Sequence, residues 1–403
     1  MAVYLDHAAT TPMVAEAREA LLDGLDLIGN PSSIHGHGQA AKRMLEGARE
    51  RIASALGADP IEVVLTSGGT EAINLGVKGL FWARRQNAPA RTRILVPRGE
   101  HHATVDAVEW LATHEGAVID WLPVDATGRV DLTVAAGRMR EHADEIALVT
   151  VILANNEVGT VQPVRALAAL AAEHGIPVHV DAVAAFGHMP VSLRDLAVAA
   201  VSVSAHKIGG PVAMGALALA RAHTVEALIH GGGQQRGVRS GTQDVPAALA
   251  FAAASDYAVA NLDAQASRLD ALAGQLAEGL AQIPGAQLRG ADLDGHLDDG
   301  GVSVRARVPG NVHATFDGCQ GDSMLFLLDM AGFSVSTGSA CQAGIAEPSH
   351  VLLGMGLDER DALSALRFTL GASTSKKDIA ELLAVLPRVV EQARAAGFSD
   401  RAV

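Results

Sequence analysis

The sequence predicts an α/β protein built on a mostly parallel sheet. Three observations carry that expectation. Short apolar, β-branched runs alternate with stretches of helical spacing from Ile61 to Pro211, glycine turns separate the two, and polar residues gather where the apolar runs end. Alternation of this kind gives parallel strands joined by crossover helices, with ligands collecting at the carboxyl ends of the strands. At 403 residues with 49% hydrophobic content, the chain can fill a sizeable core, as two domains or one large and one small.

In order, Tyr4 to Pro12 is too short for a domain and is expected to pair as an extended segment with something distant. Val14 to Gly24 has helical spacing, and Asn30 to Gly38 (NPSSIHGHG) is rich in breakers and expected as a loop. Ala40 to Leu56 is again helical, with Leu45, Ala48, Ile52 and Leu56 on one face. Ile61 to Thr66 reads as a strand turning into a helix near Thr70, on which Ile73, Val77 and Leu80 share a face. Then come Ile94 to Pro97, Ala103 to His114, Val118 to Val124, Ile146 to Leu153, Pro163 to Glu173 and Val178 to Val180, strand and helix in turn. Val245 to Ile283 is an alanine-rich helical stretch, and Gly290 to Gly301 is expected as turns and loop. Strands near Val312 to Phe316, Phe333 to Ser336 and Ala365 to Leu370 follow, with helices at Asp322 to Met330 and Asp378 to Ala396.

Composition narrows the partners. The net charge of −14 opposes direct binding to nucleic acid or an anionic membrane, and aromatics make up only 3% of the chain. No apolar run is long enough to span a bilayer, and MAVYLDHAATTP lacks a basic and an apolar leader region, so a cytoplasmic location is expected. Two cysteines, Cys319 and Cys341, without a CxxC pair, argue against a disulfide framework or a zinc site. His35 and His37 lack further ligands at suitable spacing, so no metal is expected.

The candidate chemistry centres on AVSVSAHKIGGP, residues 200–211. Val201 and Val203 fall on one face of the strand and Ser202 and Ser204 on the other, delivering Lys207 into a turn of Gly209, Gly210 and Pro211. A lysine fixed at a strand end beside Ser204 and His206 suits a Schiff base with an aldehyde cofactor, because partial burial lowers its pKa and frees the amine. A surface lysine after a strand is the plainer alternative. TSGGTEAINL offers a second feature: Gly68 and Gly69 let backbone approach an anion while a helix opening at Thr70 aims free N–H groups at it. An ordinary glycine turn with Glu71 in the first helical turn is the competing reading. His101, His102, Asn155, Asn156, Glu157, Asp181 and Lys207 all come just after apolar runs, which brings them to one rim. HGGGQQRGVRSGT carries Arg236 and Arg239 on a glycine-rich loop, either a surface connection or a subunit contact.

With these pieces in view, the chain resembles the cysteine desulfurases of the class V aminotransferase superfamily, in the branch serving iron–sulfur assembly and tRNA thiolation. The motifs YLDHAATTP, GNPSS, TSGGTEAINL, the His101 region, NNEVG, HVDA, SAHK, RSGT, STGSAC and RFTLG occur in order, nearly end to end. The resemblance implies a fold-type I homodimer dependent on pyridoxal 5'-phosphate. It divides the chain into a large domain at 14–256 and a small α+β domain at 257–403 completed by 1–13. It implies that Lys207 holds the cofactor and later moves a proton, that Asp181 pairs with the pyridinium nitrogen, and that His101 stacks on the ring. Gly69, Thr70, Ser204 and His206 would hold the phosphate, joined by Thr242 from the partner subunit. Asn156 would lie near the ring hydroxyl and the substrate carboxylate, which Arg367 would anchor. Cys341 would accept sulfur from L-cysteine as a persulfide, leaving L-alanine, and pass it to acceptor proteins; Cys319 reads as a buried structural thiol.

One position departs from the family pattern. Ala184 stands where the family usually has a glutamine bonding the cofactor's phenolic oxygen, so one hydrogen bond is absent or supplied otherwise. The competing activities are a related lyase acting on selenocysteine or cysteine sulfinate, for which Cys341 would be dispensable, and a binding platform without efficient catalysis.

Overall fold

The computed structural model describes residues 2–338 and 347–397. Its centre is a seven-stranded sheet in the order Val63–Thr66, Gly215–Leu219, Ala200–Ser204, Val178–Asp181, Ile146–Ile152, Arg93–Pro97 and Val118–Leu122. The last five strands are mutually parallel, and only Gly215–Leu219 runs antiparallel to its two neighbours. Helices cover both faces, so alternate residues of a strand enter different cores. Val63 and Leu65 pack with Leu45, Ile52 and Val201, whereas Val64 packs with Ile73, Leu80 and Leu217.

The expected alternation is therefore present, with additions. Gly215–Leu219 was not anticipated: its residues, GALAL, have neither β-branching nor polar alternation, and its position between two buried strands makes it one. The helix Leu132–Glu141 was also missed, although Asp131 caps it by accepting the Thr133 and Val134 N–H groups. Within NPSSIHGHG the helix begins at Gly36 rather than after Gly38, because His35 Nδ1 accepts the Gly38 N–H at 3.2 Å. Gly290 to Gly301 is not all loop. His296–Asp299 pairs with Val302–Arg305 across Gly300 and Gly301, both at positive φ as a tight hairpin turn requires. The alanine-rich stretch is two helices, Val245–Ala260 and Leu262–Leu280, meeting at 68°; no single helix among the described residues is long and apolar enough to cross a membrane.

A three-stranded antiparallel sheet, Ala365–Thr369, Asn311–Phe316 and Ala286–Arg289, carries the C-terminal core with Leu276, Phe368 and Leu386. Leu5 belongs to this core. The N-terminal segment pairs at a distance, as expected: Val3–Tyr4 lies parallel to Phe333–Ser334, and Asp6 bridges to Thr369. Cys319 is fully buried with its Sγ 3.5 Å from the Val390 carbonyl, and burial pushes its thiol up, in keeping with a structural role.

Candidate active site

Several strands end at one cavity of about 390 Å³. Ala200–Ser204 leads into a tight turn, Ala205–Ile208, that carries Lys207 and is closed by Gly209 at φ 79°. A side chain at Gly209 would put its Cβ 2.7 Å from Val14 Cγ1, so the turn and the N-terminal segment are fitted to each other. That segment supplies acceptors: Lys207 Nζ donates to the carbonyls of Ala8 and, at 2.8 Å, Ala9. Burial lowers Lys207 to about 8, with Arg367 acting in the same direction and Asp6 and Asp181 opposing. Its amine is thus far closer to neutrality than a surface lysine's.

Asp181 ends the adjacent strand, where its Oδ1 accepts the Val183 N–H at 2.9 Å. Burial pushes this carboxyl up to about 6, while the Val183 N–H and the Lys207 charge hold it back. A cation placed beside it would relieve that cost.

The helix Gly69–Asn87 opens into the same cavity. A Cβ on Gly69 would fall 2.7 Å from Val183 Cγ2 and 3.3 Å from Ser204 Cβ, so only glycine leaves the first helical N–H groups open. Thr70, Ser204 and His206 share the wall. Ser204 Oγ is buried without a partner, and His206 Nδ1 meets Thr10 Oγ1 at 3.2 Å. The turn is braced by Glu71, whose carboxylate accepts the Ser67 N–H at 2.7 Å and two bonds from Arg239. Burial alone would raise the Glu71 carboxyl, but Arg239 and Ser67 bring it below its usual range. Arg239 is therefore tied to this turn within the chain.

His101 caps the helix His102–Glu115, its Nδ1 accepting the Ala103 N–H at 3.1 Å. That bond leaves Nε2 as the protonated nitrogen. Burial pushes His101 down to about 4, with Lys207, His102 and His350 adding to the shift. In the same cavity Arg367 donates to Asp6 Oδ1 and to the Asn156 carbonyl, each at 2.8 Å, while its Nε is buried without a partner. Asn156 Oδ1 is likewise buried and unpartnered. Asn155 fixes this loop by accepting the Glu157 and Val158 N–H groups and donating to the Gly99 carbonyl.

The fold thus gathers Gly69, Thr70, His101, Asn156, Asp181, Ser204, His206, Lys207 and Arg367 around one space, with Ala184 in its wall. Thr242 is exposed on the loop before Val245–Ala260 and is not part of this wall. Cys341 lies outside the described residues. Ser336 and Gly338 line the cavity, and Ser349 donates to Glu157. Sequence reasoning overlooked Asp6 as the partner of Arg367 and His350, whose Nε2 donates to the Glu100 carbonyl at 2.8 Å. The one acidic residue of the start YLDHAA was the available signal for Asp6.

An amine, a buried carboxyl, the start of a helix and an arginine fork therefore face one cavity. The aminotransferase class-V family model matches residues 3–382. An IscS-like cysteine desulfurase from Mycobacterium tuberculosis is 47% identical over 397 residues, covering 98% of each chain. Among solved structures, a NifS-like protein superposes with a TM-score of 0.86 at 32% identity, covering 97% of this chain and 100% of its own. SspA in complex with cysteine gives 0.75 at 29% identity, covering 91% and 98%. The chain belongs to the class-V aminotransferase family, among its cysteine desulfurases.

Proposed function

We propose that the protein is a pyridoxal 5'-phosphate-dependent cysteine desulfurase. The observation that carries the reading is the convergence of Lys207, Asp181 and the unpartnered Ser204 Oγ on one cavity. These groups fit that cofactor in kind: an amine for an aldehyde, a buried carboxylate for a ring cation, and an open helix start with a free hydroxyl for a phosphate. When bound, the cofactor supplies an electron sink that makes the bonds at the substrate's α-carbon labile.

The residues divide the remaining work. Gly69, Thr70, Ser204 and His206 hold the phosphate, and Thr242 of a second copy completes the cradle in a homodimer. Lys207, with its lowered proton affinity, carries the cofactor and then takes and returns a proton. His101, neutral at physiological pH, presents its Nε2–H to the reacting groups. Asn156 and Arg367 orient the substrate carboxylate, for which Arg367 keeps an unpaired Nε. The substrate is L-cysteine, the ligand named with SspA. Its carbon–sulfur bond breaks, the bonding pair stays with carbon and takes a proton to give L-alanine, and the sulfur joins the Cys341 thiolate as a persulfide. Acceptor proteins then take that sulfur, for iron–sulfur cluster assembly, as the IscS-like relative's name suggests, or for tRNA thiolation. We place this activity in the cytoplasm.

The test is alanine and sulfide production from L-cysteine with reductant, beside Lys207→Ala and Cys341→Ser. Yellow, active wild-type protein and two variants inactive on cysteine support the reading. Equal activity in Cys341→Ser would replace it with a lyase that does not route sulfur through that thiol.

A further inference from the structure

A polar row crosses three of the parallel strands beneath the cavity. Thr150 Oγ1 lies 2.9 Å from His179 Nδ1, and His179 Nε2 lies 2.8 Å from Ser202 Oγ. All three residues are fully buried, and none belongs to the cavity wall. Each stands two residues before one that does, Ile152, Asp181 and Ser204 respectively, so the row and these wall residues share one side of the sheet.

Burial pushes His179 down to about 3, so its ring is neutral, with one nitrogen giving a hydrogen bond and the other taking one. A hydroxyl can do either, so both contacts hold whichever nitrogen carries the proton. The ring is thereby pinned at both ends, which an aliphatic side chain of similar size would not be.

The helix Gly69–Asn87 rests on this ring. A Cβ on Gly76 would run into His179 Cδ2 and fall 2.7 Å from its Nε2, so the helix backbone at Gly76 lies directly against the imidazole. About two turns earlier Gly69 makes a matching approach, where a Cβ would lie 3.3 Å from Ser204 Cβ and 2.7 Å from Val183 Cγ2. The helix is thus seated at two points on one face of the sheet, its start on Ser204 and its middle on His179. In a close-packed interior a shift at one seat is passed to the other. We propose that His179 is a positioning residue: held between Thr150 and Ser202, it seats the helix at Gly76 and so fixes the helix start against Ser204, where the cofactor phosphate binds.

The seating of the helix rests on the chain alone, whereas its consequence for a phosphate rests on the cofactor reading. The test compares the dissociation constants of pyridoxal 5'-phosphate and of pyridoxal, which lacks the phosphate, on the full chain freed of cofactor. Gly76→Ala drives a methyl group against the imidazole and lifts the helix, so affinity for pyridoxal 5'-phosphate should fall about tenfold or more while that for pyridoxal stays within about threefold. General loosening of the fold weakens both ligands alike, so the ratio of the two constants is what reports position. In a His179→Ala background the methyl group meets no ring, and adding Gly76→Ala should there change the ratio by less than about twofold. An unchanged ratio in folded Gly76→Ala protein, or an equal loss in both backgrounds, overturns the proposal. Thr150→Val keeps the packing but frees one end of the ring, and should lower the ratio by about threefold; if Gly76→Ala does not fold, this variant decides. Wild-type protein that binds neither ligand defeats the cofactor reading instead. Crystal structures of wild type and Gly76→Ala then judge the seating, which an unmoved Gly69 beside Ser204 overturns.

Discussion

Arg367, in the cavity wall, forms an ion pair of 2.8 Å with Asp6, joining a strand of the C-terminal sheet to the N-terminal segment. Asp6 occupies one nitrogen of the guanidinium and the Asn156 carbonyl another, so the fork is held flat with its Nε edge free. A lysine keeps the charge but loses the planar geometry. Arg367→Lys should therefore fold, retain its colour and lose about 10- to 100-fold in kcat/KM on cysteine, mostly through KM. Steady-state kinetics beside a thermal melt checks this, and an unchanged KM would remove Arg367 as the carboxylate anchor.

The separation of that pair also shows where sequence reading stops. Lys207, Asp181 and Ser204 were legible because each ends an apolar run, and strand ends in a parallel sheet share a rim. Asp6 stands 361 residues from Arg367, and no local pattern reports which distant charges meet. The strand Gly215–Leu219 was illegible for a different reason: its small apolar residues suit helix and strand alike, and only its neighbours decide.

Asp181 illustrates a site that costs stability. Its carboxyl is raised from its ordinary value to about 6 by burial, so the folded state binds its proton more tightly than the unfolded state does. The resulting stability is present at low pH and is lost as pH rises through about 6, leaving a penalty at neutral pH. Asp181→Asn should thus stabilise the cofactor-free protein by about 2–3 kcal/mol at pH 7 while weakening cofactor retention. Denaturant melts of both apoproteins at pH 4 and pH 7 test it; the gain should appear only at the higher pH.

Gly69 tests the anion cradle. An added Cβ meets Val183 Cγ2 at 2.7 Å and Ser204 Cβ at 3.3 Å, so the helix start or the Val183 side chain has to shift. Overpacking of this size costs about 1–3 kcal/mol. Gly69→Ala should melt lower than wild type and gain less from added pyridoxal phosphate, since ligand stabilisation follows affinity. Equal thermal shifts on adding the cofactor would mean that the helix start does not hold the phosphate.

His101 serves two purposes that one substitution can separate. Its Nδ1 caps the helix His102–Glu115 through the Ala103 N–H, and the residue lines the cavity. Asparagine is among the best capping residues but has no ring. His101→Asn should accordingly keep stability within about 0.5 kcal/mol at pH 7 while activity falls by about 10²- to 10⁴-fold, the range for losing a positioned proton-transfer group. His101→Ala should lose similar activity and about 1 kcal/mol besides, as the cap is gone. The pH dependence provides an independent check. Burial depresses His101 from 6.5 to about 4, so the stability from its neutral form is present above 6.5 and is lost as pH falls through about 4. Protonating Nδ1 would also break the cap, since a ring N–H cannot accept. Between pH 6.5 and 4 the His101→Asn protein should therefore lose less stability than wild type, measured by denaturant melts, and parallel curves for the two would mean that His101 is not held neutral by its burial.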